Sequence, residues 1–364
     1  MKKKLGAAFF ILFALFALSF MVSNFILPAQ DQELSPATAV KISQAEALIL
    51  YASDFAIAED GVIFIPDGKD GNIKLYEPDG TLLKVIGRRG PGPEEFRAPA
   101  FCDYKTPFLS VLDLFKVHIY ERKGRADLAK VAEISCMACT SDVILSGKGV
   151  LVDAFVHHND GKFSLTLRSF ADTVKHLLPS YRRYGFKSER EYKVSYLDLH
   201  MLTSGRGYLS VLENRVYFIL DARPIVTNFN LDGSEIATFR TLSPNYREPR
   251  INARIRDNFS KRRSSELITE RNKVSKITGI LADDQMVGVL FCNYDAPSDT
   301  WKLYLQRFDK AGKLVSESLL REAVNYRAIF SYYFQRESGV LYVMAERYGD
   351  ETTDDYRILG YKLR

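Results

Sequence analysis

The sequence predicts an all-β fold, a six-bladed β-propeller that occupies residues 30–364. Three observations predict it. The composition is rich in aromatic residues that suit half-buried pleated surfaces, with 20 Tyr and 24 Phe against a single Trp. Segments with period-2 alternation recur in six units that end in turn signals. The sixth unit stops one strand short, while a spare strand-like segment precedes the first unit.

The N-terminal segment, residues 1–29, is expected to be a signal peptide or a signal anchor. Lys2, Lys3 and Lys4 precede the apolar run Leu5–Leu27, which has the pattern of an export signal and the length to cross a bilayer. The positive-inside rule then places the body outside the cytoplasm, in the periplasm or at the cell surface, with membrane association if the segment is kept. Without the three lysines the net charge falls from +5 to +2, which argues against a nucleic-acid binder.

Each unit is interpreted as an inner strand that ends at an acid or amide, a loop, an alternating strand, a polar turn and a last strand. The first unit reads VIFIPD followed by NIKLYEPDGTLLKVIG, and the fifth reads VGVLFCN followed by KLYLQRFDKAGKLVSESL. The polar turns contain the Asp and Gly of tight hairpins, because glycine adopts positive φ without a Cβ clash. The units align on one position, occupied in turn by Asp67, Asp113, Asp153, Asp221, Asn293 and Glu346.

Two connecting segments complete the predicted ring. Residues 37–43, ATAVKIS, are expected to pair with the sixth unit as its missing outer strand. The stretch IGRRGPGPEEFRAPAF, residues 86–101, has the glycines of a phosphate-binding loop but lacks the following helix and the Lys-Ser/Thr pair that such a loop needs. It is therefore predicted to be a hinge between two blades, with Phe96 packed between them.

The same residues resemble a known family. IGRRGPGPEEFRAP followed by FLSVLDLFKVHIYERKG is similar to NHL-type repeats and to exported bacterial six-bladed propellers of TolB-like architecture, in which a Gly-rich linker precedes each strand pair and an Asp ends the second strand. The resemblance is specific over residues 55–122 and covers the later units only as architecture. It implies a propeller fold. Because such families include scaffolds, ligand-binding proteins and enzymes, it leaves the function open.

The aligned acids allow two interpretations. In one, Asp67, Asp113, Asp153 and Glu346 gather near the central channel and bind calcium, which prefers about six to eight oxygen ligands, as in a metal-dependent hydrolase or lyase. In the other, a residue present in nearly every blade belongs to the construction of the blade and accepts hydrogen bonds from turn N–H groups. We favour the second interpretation and expect no cofactor, with calcium reserved for the alternative.

Two stretches break the repeat and are the candidate ligand-binding regions. One connects the third and fourth units over residues 181–196 and contains Arg182, Arg183 and Tyr184. The other spans residues 244–276, and its apolar spacing predicts a helical insertion between blades 4 and 5. From Arg250 to Lys276 it has nine basic and three acidic residues, so it is expected to form a basic lid. The candidate contact residues of this lid are Arg256, Lys261, Arg262 and Arg263.

The other motifs do not form a complete catalytic set. CMAC, from Cys136 to Cys139, has no second C-x-x-C, and His157 and His158 are adjacent, so they would point to opposite faces of a strand. Tyr and Arg, in contrast, are favoured at binding hot spots. The sequence thus favours a non-catalytic module outside the cytoplasm that recognises a protein, peptide or glycan through rim loops and the basic insertion. The alternative is the metal-dependent hydrolase or lyase with its site in the central channel.

Overall fold

The structure is a computed structural model, and it describes most of the chain body. The described residues are 31–43, 48–135, 139–146, 149–154, 164–171, 174–179, 207–221, 223–248, 252–261, 264–321, 328–347 and 355–363. The predicted signal segment lies outside these ranges. Among the described residues no helix is long and apolar enough to span a bilayer.

The first third of the described chain forms two N-terminal strands and two blades. The N-terminal strands are β1 (Asp31–Leu34) and β2 (Thr38–Lys41). Blade 1 contains β3 (Ala56–Ile57), β4 (Ile63–Asp67), β5 (Asn72–Tyr76) and β6 (Leu82–Ile86). A short parallel pair follows, β7 (Arg88–Arg89) and β8 (Glu95–Phe96). Blade 2 contains β9 (Pro99–Lys105), β10 (Phe108–Asp113), β11 (Lys116–Arg122) and β12 (Leu128–Ser135).

Blades 3 and 4 repeat this order. Blade 3 contains β13 (Cys139–Ser146), β14 (Gly149–Ala154), β15 (Ser164–Arg168) and β16 (Val174–Pro179). Blade 4 contains β17 (Gly207–Leu212), β18 (Arg215–Leu220), β19 (Arg223–Asn230) and β20 (Glu235–Arg240). Two helices then follow in the insertion, α1 (Ala253–Ser260) and α2 (Ser264–Arg271).

Blades 5 and 6 end the chain and take up the N-terminal strands. Blade 5 contains β21 (Lys276–Ala282), β22 (Val287–Asp295), β23 (Thr300–Phe308) and β24 (Leu314–Leu320). Blade 6 contains β25 (Ala328–Gln335), β26 (Val340–Arg347) and β27 (Asp355–Lys362). The predicted closing strand is confirmed, because β2 pairs antiparallel with β27 as the fourth strand of blade 6. In addition, β1 pairs parallel with β24 and adds a fifth strand to blade 5.

The structure corrects the predicted order of strands within a blade. The acid-ending strands, such as β4 and β10, are the second strands and not the innermost ones. In each blade another strand precedes them, and in blade 1 this first strand, β3, has only two residues. A strand that is short and buried on both faces shows no period-2 pattern, so the sequence does not reveal it.

One end of the propeller, which we call the linker face, is where first strands begin and second strands end. The register shows this in blade 1, where Ala52, ahead of β3, bridges to Asp67 at the end of β4. The blade-to-blade linkers and the turns between second and third strands lie on this face. The base of the insertion, immediately ahead of β21, lies there too.

The apolar cores lie between neighbouring blades. The core between blades 1 and 2 joins Phe64 and Leu75 to Leu109 and Val111, and Phe96 of the Gly-rich linker is fully buried in it. The Phe96 ring lies edge-on to His118 with centroids 5.3 Å apart. The prediction that the Gly-rich stretch is a hinge with Phe96 between the blades is therefore confirmed.

Candidate functional site

Asp67 is a fully buried anchor for the chain that enters blade 1. Its carboxylate accepts hydrogen bonds from the main-chain N–H groups of Leu50 at 2.7 Å and Tyr51 at 3.1 Å. It also accepts bonds from the N–H groups of the β4–β5 turn and from the buried Lys74 Nζ at 2.7 Å. These donors occupy both oxygens and hold the incoming linker against the end of β4.

Asp113 does the same work in blade 2. Its two oxygens accept hydrogen bonds of 2.6 to 3.0 Å from the main-chain N–H groups of Arg97 and Ala98, the last residues before β9. Burial alone would raise the pKa of this carboxyl, but the His118 imidazole, whose Nε2 lies 3.7 Å from the carboxylate, and hydrogen bonds from these two N–H groups hold the pKa below its ordinary value. Asp113 is therefore favoured in its charged form.

The remaining aligned positions are described only in part. Asn293 in blade 5 donates to the Asn245 carbonyl at 2.8 Å and accepts from Ser275 Oγ at 2.6 Å, so it too holds the chain ahead of its blade. Asp153 and Glu346 lie on β14 and β26, and their side chains are outside the described part. Within the described residues, no three His, Cys, Asp or Glu side chains lie together as a metal site.

A cavity of about 180 Å³ lies on the propeller axis, and its wall is formed by the first strands of blades 2 to 6 and by residues on either side of β3 in blade 1. Its acids are Asp54, Glu59, Asp103 and Glu337, none of which was selected from the sequence. The buried Asp54 carboxylate accepts hydrogen bonds from Cys102 N–H at 3.0 Å and from the Ser331 hydroxyl. Asp103 accepts the Leu145 N–H at 2.8 Å, which joins blade 2 to blade 3.

The first strand of blade 6 and the residue just after it are hydrogen-bonded to several other blades around this axis. The Tyr332 hydroxyl donates to the Ile280 carbonyl in blade 5 at 2.6 Å, and the Tyr333 hydroxyl donates to the Tyr104 carbonyl in blade 2 at 3.1 Å. Just beyond β25, Arg336 donates to the Val211 carbonyl in blade 4 at 2.5 Å. Aromatic side chains and cross-blade hydrogen bonds therefore line this cavity.

The helical insertion is fixed to blade 5 at its base. Tyr246 is buried with its ring edge-on to Phe291 at 5.4 Å, and Asn245 donates to Glu317 at 2.6 Å. The Ser275 N–H donates to the Arg247 carbonyl at 2.9 Å, and the Arg247 N–H donates to the Ser275 hydroxyl oxygen at 2.7 Å. The insertion thus leaves and rejoins the propeller at a base where its two ends are hydrogen-bonded to each other.

The predicted helices are present and enclose a small core of their own. Ile255 on α1, Leu267 on α2 and the following Val274 bury one another. Asn252 caps α1, because its side-chain oxygen accepts the Ile255 N–H at 3.0 Å. Ile268, by contrast, is 54% exposed, so it is not part of this small core.

The structure describes only part of the predicted contact set. Arg256 and Lys261 are exposed on or just after α1, and Lys261 pairs with Asp257 at 2.8 Å. Lys273 pairs with Glu270 at 2.8 Å, and Lys276 Nζ lies 3.8 Å from the centre of the Trp301 ring. Some of the insertion's basic charge is therefore balanced internally. Outside the described residues lie the candidates Arg182, Arg183, Tyr184, Arg262 and Arg263, together with Cys136, His157 and His158.

The comparisons with known proteins support the fold. No family model matches the chain and no curated protein matches it, so NHL-type membership is not confirmed. A crystal structure of a DUF4221 family member from Bacteroides vulgatus matches with a TM-score of 0.59 and 10% identity, covering 90% of this chain and 97% of that one. A Bacteroides fragilis protein, proposed in its description to be exported, matches with a TM-score of 0.56 and 11% identity, covering 92% and 99% of the two chains.

Proposed function

We propose that this propeller is a non-catalytic binding module that acts outside the cytoplasm and recognises a partner on its linker face. One observation carries the proposal. The acids that the sequence offers for chemistry and that the structure describes, Asp67 and Asp113, already accept hydrogen bonds at both oxygens, from main-chain N–H groups and, for Asp67, also from Lys74. Their oxygens are used to hold the blades together. We therefore assign recognition to the segments that interrupt the repeat.

The helical insertion supports this proposal as the main recognition element. Its base is fixed to blade 5 by Tyr246 and Asn245, so the two helices are presented in a defined position. A preorganised element loses little conformational entropy on binding. Its excess of basic residues suits an acidic protein or peptide, or an anionic glycan.

The location outside the cytoplasm is part of the proposal. It rests on the charged and apolar N-terminal residues and agrees with the description of the Bacteroides fragilis protein as a proposed exported protein. Partners are therefore expected in the periplasm or at the cell surface.

The test compares two variants that lose the same four positive charges. Arg256→Ser/Lys261→Ser/Arg262→Ser/Arg263→Ser removes charge from the insertion. Lys84→Ser/Lys123→Ser/Lys310→Ser/Lys313→Ser removes it from exposed positions in turns and outer strands. Binding of heparin and of poly-glutamate is measured at low and high salt.

We expect wild type and the second variant to bind these polyanions in a salt-sensitive way. The insertion variant should lose this binding. The melting temperatures of all three proteins should be the same. The absence of binding by wild type at low salt contradicts the proposal. Equal weakening in both variants also contradicts it, because only net charge would then matter.

A further inference from the structure

A second feature of the linker face is an exposed apolar hairpin tip in blade 2. Asp113 pairs with Lys116, so Leu114 and Phe115 form a two-residue turn between β10 and β11. They are 41% and 57% exposed. Leu114 has φ +51°, at a turn position that glycine usually occupies.

This turn is unfavourable for folding in two ways. The left-handed backbone region places the Cβ of an L-residue too close to the carbonyl oxygen that follows. Two large apolar side chains are also left in water, where polar turn residues would be solvated. Conformational strain that brings no packing gain is a feature of binding sites.

The neighbouring surface of blade 1 continues the apolar tip. A Cβ built on Gly68 would lie 3.1 Å from the Pro99 carbonyl oxygen and 3.3 Å from the Tyr51 ring, so these groups adjoin. Pro99 is opposite Asp113 in the sheet, next to the hairpin tip. Tyr51 is 57% exposed. Tyr51, Leu114 and Phe115 therefore lie on adjoining parts of one face.

Cations border these apolar side chains. Lys69, Arg89 and Arg97 are exposed, and none of them pairs with a carboxylate in the parts of the chain that the structure describes. Arg89 lies beside Lys69, since its guanidinium donates to the Lys69 carbonyl at 3.3 Å. The backbone of Arg97 is held by the hydrogen bond from its main-chain N–H to Asp113, which places this residue beside the hairpin tip. Tyr51, Leu114, Phe115, Lys69, Arg89 and Arg97 together form the blade 1–2 patch.

We infer that the blade 1–2 patch binds an acidic segment of a partner protein that carries an aromatic or large aliphatic side chain. Three cations complement the acidic residues, and the exposed rings and Leu114 provide the apolar contact. A peptide fits better than an anionic bilayer, because its carboxylates can be spaced to reach the cations and avoid the exposed Glu94, which a uniformly negative surface cannot do.

The inference goes beyond the proposed function, because the patch and the insertion are separate surfaces. Both are on the linker face, but the patch belongs to blades 1 and 2 while the insertion precedes blade 5. Each therefore has its own variants, and the two can fail independently.

The test selects peptides from a phage-displayed library of random 12-residue sequences against the full-length wild-type protein. The affinity of selected synthetic peptides is then measured by fluorescence anisotropy. The key variant is Leu114→Gly/Phe115→Asn, which gives the turn its preferred residues and removes the apolar tip. Val131→Ser/Val315→Ser is the matched control, since it removes two exposed valines elsewhere.

We expect selected peptides to be acidic and to contain an aromatic or large aliphatic residue. Their affinity should fall by about tenfold or more in the Leu114→Gly/Phe115→Asn variant and stay unchanged in the control. The melting temperature of that variant should equal or exceed that of wild type, because the turn strain is relieved. Arg97→Ser/Arg89→Ser should weaken the same peptides in a salt-dependent way.

Three results would overturn the inference. The first is selection of basic or uncharged peptides, or of none. The second is an unchanged affinity in Leu114→Gly/Phe115→Asn while the insertion variant loses binding, which would support the insertion alone. The third is binding of phosphatidylglycerol vesicles through Leu114 and Phe115 without peptide binding, which would make the surface a membrane contact. Loss of peptide binding only in the patch variant would support the patch even if the insertion failed its own test.

Discussion

At the residue scale, the fold depends on a buried charge pair in blade 1. The side chains of Lys74 and Asp67 are almost fully buried, and their charged atoms are 2.7 Å apart. Replacing both members of such a pair by apolar residues costs little, but removing one leaves the other without its buried partner. Without Asp67, Lys74 would keep only the partly exposed Asp70, 2.9 Å away. Asp67 also accepts hydrogen bonds from two N–H groups of the incoming linker. Its carboxylate therefore both balances the charge of Lys74 and holds the linker against blade 1.

Replacement of Asp67 should therefore destabilise the protein strongly. We expect Asp67→Ala to lower the free energy of unfolding by about 3 to 5 kcal/mol, because Lys74 loses a buried partner. Asp70→Ala is the control, since Asp70 also contacts Lys74 but is 41% exposed, and it should cost less than about 1 kcal/mol. Urea unfolding measures both. Equal losses would show that Asp67 has no special structural role.

Asp113 should make stability depend on pH on the acid side. The pKa of Asp113 is lower in the folded than in the unfolded state. Its carboxylate therefore makes its full contribution to stability when the pH is above the unfolded pKa of about 3.9. That contribution is lost as pH falls through the lower folded pKa. We expect Asp113→Asn to reduce the fall in unfolding free energy between about pH 4 and pH 2. Asp127→Asn, at an exposed turn of the same blade, should leave the fall as in wild type.

At the element scale, the N-terminal strands join the two ends of the chain. β2 completes blade 6, and Ile42 just after it is fully buried in the core between blades 1 and 6. β1 only extends the outer edge of blade 5. The two strands should therefore contribute unequally to stability.

A deletion of residues 30–45 should lower the melting temperature by on the order of 10 °C, because it removes a paired strand and the buried Ile42. A deletion of residues 30–36, which removes β1 and keeps β2, should have a much smaller effect. Thermal melts by circular dichroism compare the two. An unchanged melting temperature after the longer deletion would contradict closure by β2.

The elements also show how far the sequence predicts this fold. Turns such as EPDGT are predictable because their chemistry is local, and the turn glycines Gly80, Gly233 and Gly312 do have positive φ. The closing strand is predictable because the sixth unit is one strand short. The first strand of blade 1 is hard to predict because it has only two residues and both are buried. The blade 1–2 patch does have a local sequence signal, the apolar pair Leu114–Phe115 within DLFK, where a hairpin normally has polar residues.

Contacts across the axis could not be predicted, because they join residues distant in sequence. Tyr332, Tyr333 and Arg336 each bond a carbonyl in a different blade, and no local pattern marks those carbonyls. The structural role of Asp67 and Asp113 could be predicted because an acid recurs at this position in most units. Which N–H groups donate to them could not be predicted.

At the scale of the whole molecule, the residues that build the blades and the surfaces proposed for recognition occupy different parts of one propeller. The axis is crossed by hydrogen bonds from β25, and the aligned acids that are described hold the linkers. The helical insertion and the blade 1–2 patch are both on the linker face. A partner that contacts both would gain affinity from two linked sites.

The most direct test of this account is the thermal melt of metal-stripped protein, residues 30–364, with and without added calcium. If the aligned acids build the blades, metal analysis before stripping should find no stoichiometric ion, and calcium should leave the melting temperature unchanged. A stoichiometric ion whose removal lowers the melting temperature would contradict the account. The aligned acids would then be metal ligands, and the metal-dependent hydrolase or lyase would replace the non-catalytic binding module as the favoured function.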